Sequence, residues 1–139
     1  MSMSTREQRT RRVLALQEQL HRVEHWKLLD LQRRGAELDS QRRELIAALN
    51  DSDALQGLFL DATARRLMSI AREADEVGRE ERLQIARVRE HAVRVACAER
   101  LSEAVAGQTA RADEKVALRE VIDRLVGAAT PASRKIAPP

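Results

Sequence analysis

The chain has little with which to build a thick core: Trp26 and Phe59 are its only aromatic residues, and tyrosine is absent from its 139 residues. Aromatic side chains bury the largest areas per residue, so the apolar content must form something thin and linear. Glycine and proline, which punctuate compact many-turned folds, are also scarce. The single cysteine, Cys97, rules out an internal disulfide framework and points to a reducing compartment. Set among Val93, Val95, Ala96 and Ala98, it reads as a small packing residue. No stretch approaches the ~20 apolar residues of a membrane span. The polar segment from Met1 to Arg12 lacks the apolar region of a secretion signal, so the expected setting is cytoplasmic.

Chemistry-bearing patterns are equally thin. There is no phosphate-cradling G-x-x-x-x-G-K, no G-x-S-x-G nucleophile turn and no glycine-rich loop. His21 and His25 share a helix face at i,i+4, but no cysteine or H-E-x-x-H accompanies them, and they read as solvent-facing. The acidic cluster Glu73, Asp75, Glu76, Glu80 and Glu81 reads as a solvated face. The expectation is no catalytic residue, metal, cofactor or small-molecule substrate, and no enzyme. The formal charge is +3 and the isoelectric point is about 9.7. Arg6, Arg9, Arg11 and Arg12 face only Glu7 in the first twelve residues, and Arg134 and Lys135 lie near the far end. The body between carries no continuous basic stripe and no interleaved aromatics for stacking bases, which argues against nucleic acid. Weak binding through the basic N-terminus is the reading this leaves for that class.

What the chain does have is leucine, alanine, arginine, glutamate and glutamine, all good helix formers, with 34% charged residues. Ser4-Thr5-Arg6-Glu7 has the spacing of a capping box, and Asp53-Ala54-Leu55-Gln56 resembles a second. Asn50-Asp51-Ser52-Asp53 is the first cluster of turn formers. The predicted layout is a tail at 1–4, helix one at 5–49, a turn at 50–53, helix two at 54–127 capped by a left-handed Gly127, and a flexible proline- and alanine-containing tail at 128–139.

Val13, Leu16, Leu20 and Val23 recur at 3-4-3 spacing, and Leu28, Leu31, Leu38, Leu45 and Leu49 resume in a shifted phase, which predicts a stutter through Lys27. Helix two carries a weaker stripe through Leu60, Leu67, Ile70, Ala74, Val77, Val88, Val95, Ala98, Val105 and Ala112, interrupted by Glu81, Gln84 and His91. Acidic and arginine residues at i,i+4, such as Asp39 and Arg43, support solvated faces.

Two long amphipathic helices joined by a short turn bury their stripes by folding back on each other, so the expected fold is an all-α antiparallel two-helix coiled-coil hairpin. A turn centred near residues 51–52 sets Trp26 opposite Gly78, an indole against a missing side chain, with Leu45 near Phe59 and Leu20 near Leu83. At 1.5 Å per residue helix two is about 110 Å long against about 68 Å for helix one. Residues 100–127 should therefore overhang helix one or bend back near Gly107. Their apolar residues include Leu101, Val105, Val116, Leu118, Ile122 and Leu125. A second apolar patch, Leu55, Leu58, Phe59 and Leu60, spans too much of the helix circumference to face one neighbour, and reads either as a plug at the hairpin tip or as a contact surface.

The basic N-terminus running into Arg12-Val13-Leu14-Ala15-Leu16, then Glu18, Leu20, Glu24, Leu38, Arg42 and Leu45, a short break, and a longer helix ending in Glu114-Lys115-Val116-Ala117-Leu118-Arg119-Glu120-Val121-Ile122, resembles the FliJ-like proteins of flagellar export and their YscO-like injectisome counterparts. The resemblance extends over nearly the whole chain. It implies a cytoplasmic stalk or escort of a type III protein export apparatus, peripheral to a membrane complex. By position, Arg6, Arg9, Arg11, Arg12 and the overhang would meet the export ATPase ring, and the tip around Phe59 would meet the export gate. The other class the residues allow is a self-associating scaffold or adaptor, a homo-dimer or four-helix bundle.

Overall fold

The computed structural model describes residues 4–51 and 56–134, and the side chains of 4–51 and 60–129. It is an all-α helical hairpin: α1 spans Thr5–Asp51 and α2 spans Gln56–Arg134, with no strand among the described residues. The side chains of Leu55, Leu58 and Phe59 lie outside the described set, and so does the predicted packing of Leu45 near Phe59.

The cap of α1 forms through Ser4, whose Oγ accepts the Glu7 amide at 3.2 Å while its carbonyl accepts the Gln8 amide at 3.0 Å. The Glu7 carboxylate turns along the helix to Arg11 at 3.5 Å. At the other end of α2 the structure departs from the sequence reading. The helix continues through Gly127 to Arg134, and no described glycine adopts a positive φ, so Gly127 is no left-handed cap. Ala128 and Ala129 follow it, and their helix preference offsets the ~1 kcal/mol that a mid-helix glycine costs. Gly107 also lies inside unbroken helix.

Burial reveals the seam. In α1 covered positions step by threes and fours through Glu7, Thr10, Leu14, Gln17, His21, Glu24, Leu28, Leu31, Gly35 and Leu38, then Leu45 and Leu49, with Glu18 and Asp39 half-buried beside them. This is one heptad phase with no stutter at Lys27. The expected stripe of Val13, Leu16, Leu20 and Val23 faces outward instead, between 39% and 54% exposed. The physical reason is that a rigid helix propagates one phase: Leu28, Leu31, Leu38, Leu45 and Leu49 set it, and seven-residue steps back from them land on Glu24, Gln17, His21 and Leu14. In α2 the covered positions include Thr63, Leu67, Ile70, Val77, Glu81, Gln84, Val88, His91, Val95, Ala98, Ser102, Val105 and Thr109, with Ser69, Gly78, Ile85, Ala106 and Gly107 half-buried beside them.

The chain divides into two compact units, Leu16–Ala96 and the terminal segments Met1–Ala15 with Cys97–Pro139. The first is held by Leu38, Ile70 and Val77, with Leu45 packed against them; Ile70 is 1% exposed. Gln84 meets Glu24 and Arg66 meets Gln41, so the register is displaced by about one helical turn from the predicted one. Trp26 is accordingly 65% exposed, and a Cβ built on Gly78 would meet nothing within 4 Å, so the predicted indole-to-glycine pairing does not exist. The glycine that does approach its partner helix is Gly35, whose added Cβ would lie 3.7 Å from Val77 Cγ1.

In the terminal unit, the Thr109 hydroxyl donates to the Val105 carbonyl at 3.0 Å, leaving its oxygen to accept from Ser4 Oγ at 3.4 Å. Ala98 and Val105 are buried there together with Glu7 and Thr10. Contact with α1 thus reaches Thr109, and the overhang expected from residue 100 starts at about residue 110: every residue from 110 to 129 is exposed. Cys97, read as a packing residue, is exposed beside buried Ala98.

Candidate functional site

The stretches of this hairpin that could act on another molecule are those where its side chains do not satisfy one another. The first is the exposed end of α2. Leu118, Val121, Ile122 and Leu125 are each 48% or more exposed. At 100° per residue Leu118 lies about 220° around the helix from Val105, while Val116 lies within about 20° of it. Val116 therefore continues the side that α1 covers further back, while Leu118, Ile122 and Leu125 form a separate stripe turned away from it. The basic residues assigned to the same end, Arg6, Arg9, Arg11 and Arg12, are all exposed, Arg11 being tied to Glu7. Leu60, the described member of the tip patch, is 52% exposed.

The second is a polar stretch of seam in the Leu16–Ala96 unit. Gln84 is 3% exposed, and its Nε2 donates to the Glu24 carbonyl at 2.8 Å and to Glu24 Oε2 at 2.6 Å. That hydrogen bond, helped by Lys27 and His91, holds the Glu24 carboxyl below its usual value against the opposing effect of burial. One heptad farther from the tip in each helix stand Gln17 and His91, and neither Gln17 Oε1 nor His91 Nδ1, both buried, has a hydrogen-bond partner among the described residues. Sequence reading marked Gln84 and His91 only as interruptions. The contact of Gln84 with Glu24 depended on the register, which the sequence did not set.

The third is an open cleft of about 380 Å³ beside Gly35. The small residues Gly35, Ala71, Ala74 and Gly78 line it together with Asp39, Arg42, Asp75 and Glu81. Asp39 is occupied by Arg42 at 3.1 Å and Arg43 at 2.9 Å. The rings of His21 and His25 stack with centroids 6.5 Å apart. Among the described residues no group of three or more histidine, cysteine or acidic side chains is placed to hold a metal ion, and no helix is long and apolar enough to cross a membrane.

The arrangement defines a class, an all-α helical hairpin with apolar residues exposed beyond the reach of its shorter arm. No protein-family model, curated protein or solved structure matches the chain.

Proposed function

We propose that the protein is a non-enzymatic coiled-coil component of a flagellar or type III protein export apparatus, a cytoplasmic stalk or escort that docks on the export ATPase ring and the export gate. The observation that carries this reading is the end of α2, where Leu118, Ile122 and Leu125 stay exposed in a segment that α1 does not cover. Apolar residues kept at helical spacing on an uncovered helix mark a surface for another protein. The exposed Arg6, Arg9 and Arg12 belong to the same compact unit and supply a cationic contact. The resemblance to FliJ-like proteins supplies the partner: such a stalk meets the ring with its terminal helices and the gate with its tip, here Leu55, Leu58, Phe59 and Leu60.

The test is co-purification with an export ATPase, comparing the native chain with Leu118→Asp and Ile122→Asp. The native chain should retain the ATPase and each variant should lose most of it, because a buried unpaired carboxylate is strongly unfavourable. Absence of capture by the native chain, or equal capture by the variants, would overturn this reading. A homo-dimer that persists on dilution and is dissolved by the same substitutions would assign the stripe to a self-associating scaffold instead.

A further inference from the structure

The α1 stretch within the Leu16–Ala96 unit distributes its residues in an unusual way. Its hairpin seam there is Gln17, His21 and Glu24, while Leu16, Leu20 and Val23, one residue out of phase, face away from the seam. Leu16 is 54% exposed, and Trp26, about 90° around the helix from this stripe on the side away from the hairpin seam, is 65% exposed. The i, i+4, i+7 spacing of Leu16, Leu20 and Val23 is that of a helix offering a second seam to another helix.

The flank that this seam adjoins is identified by two cross-helix contacts, Arg34 with Glu80 at 3.9 Å and Arg66 with Gln41 at 3.3 Å. Stepping back by sevens along α1 from Arg34 gives Lys27 and Leu20. Stepping forward by sevens along α2 from Glu80 gives Arg87 and Arg94. All four are exposed, so the apolar seam is bordered on the α2 side by Arg87 and Arg94 and at its end by Lys27, with Glu90, four residues before Arg94, and Glu24, paired with Lys27, as the acidic residues beside them. Lys27 reaches Glu24 at 3.3 Å but remains 57% exposed.

We infer that the Leu16–Leu20–Val23 seam, with Trp26 beside it and Arg87 and Arg94 across from it, is a docking site for an amphipathic helix of a partner protein whose apolar stripe is flanked by aspartate or glutamate. The spacing specifies a helix, and the cationic border specifies the sign of its flanks. A second copy of this chain fits poorly, because pairing two such faces brings their arginine borders together. This surface is distinct from the α2 end assigned above and stands or falls independently of it.

The probe is a synthetic helical peptide free of tryptophan, with leucine at 3-4 spacing and glutamate on both flanks, compared with the same peptide carrying lysine flanks. Trp26 is the only tryptophan, so its emission reports docking directly. The acidic peptide should shift that emission to shorter wavelength and bind about tenfold more tightly than the lysine peptide at low salt. The double variant Leu16→Asp, Leu20→Asp should weaken it by at least about tenfold, and Arg87→Glu with Arg94→Glu, both at exposed positions, should reverse the peptide preference. Equal binding of the two peptides, no binding by either, or binding insensitive to both double variants would overturn the proposal. So would a dimer dissolved by Leu16→Asp, Leu20→Asp, or binding to anionic vesicles abolished by those two substitutions.

Discussion

Replacing Gln84 by leucine should destabilise the hairpin even though it makes the seam more apolar. The substitution removes a hydrogen bond to the Glu24 carboxylate, worth about 1.5–3 kcal/mol, and one to its main-chain carbonyl, worth about 0.5–1.5 kcal/mol. The Gln84 stem is already buried, so leucine regains only part of this, and the net loss should be about 1–3 kcal/mol. Glu24→Leu alone should cost less, because the main-chain carbonyl still accepts from Gln84. The double variant Glu24→Leu, Gln84→Leu should return to within about 1 kcal/mol of the native chain or exceed it, since both partners are then replaced by packed apolar groups. Urea unfolding followed by far-ultraviolet circular dichroism measures all four corners of the cycle. The acid limb adds a second readout. Because the folded-state value of Glu24 is depressed, its contribution is fully present above the unfolded carboxyl value and is lost as pH falls through the folded one. Gln84→Leu removes the largest cause of that depression, so it should flatten the loss of stability on acidification. A Gln84→Leu chain as stable as the native one, or a double variant equal to the sum of its singles, would refute this account of the seam.

Ile70→Ala should cost about 2–5 kcal/mol in the same unfolding assay, while Leu83→Ala, at a position 63% exposed, should cost well under 1 kcal/mol. Gly78→Ala should stabilise by about 0.5–1 kcal/mol, as an alanine in a helix whose new Cβ meets nothing within 4 Å; a loss of stability would revive a bulky neighbour such as Trp26 at that site. Cys97 should react with a thiol reagent as fast in native buffer as in denaturant, and slow native labelling would place it inside the packing instead.

The hairpin was legible because helix propensity, a cap at Ser4 and scarce turn formers are local properties that need no partner to act. Exposure at the end of α2 was legible only in part: Leu118, Ile122 and Leu125 are exposed as the shortage of α1 residues implied, but Val105, placed in the same overhang, is buried. The phase of the seam was not. Read alone, Val13, Leu16, Leu20 and Val23 outscore Gln17, His21 and Glu24 as a buried stripe, and only α2 reverses that ranking by bringing Gln84 to Glu24. A polar seam position is costly or acceptable according to the group opposite it, and that group is decided by register. Register in turn moved by about one turn, which separated Trp26 from Gly78, while the heptad phase of α1 left Leu16, Leu20 and Val23 uncovered. The sequence by itself determined two helices and their order, because backbone preference is set residue by residue. Only the tertiary pairing decided which faces they spend on each other and which remain for other molecules, because burial depends on a neighbour many residues away.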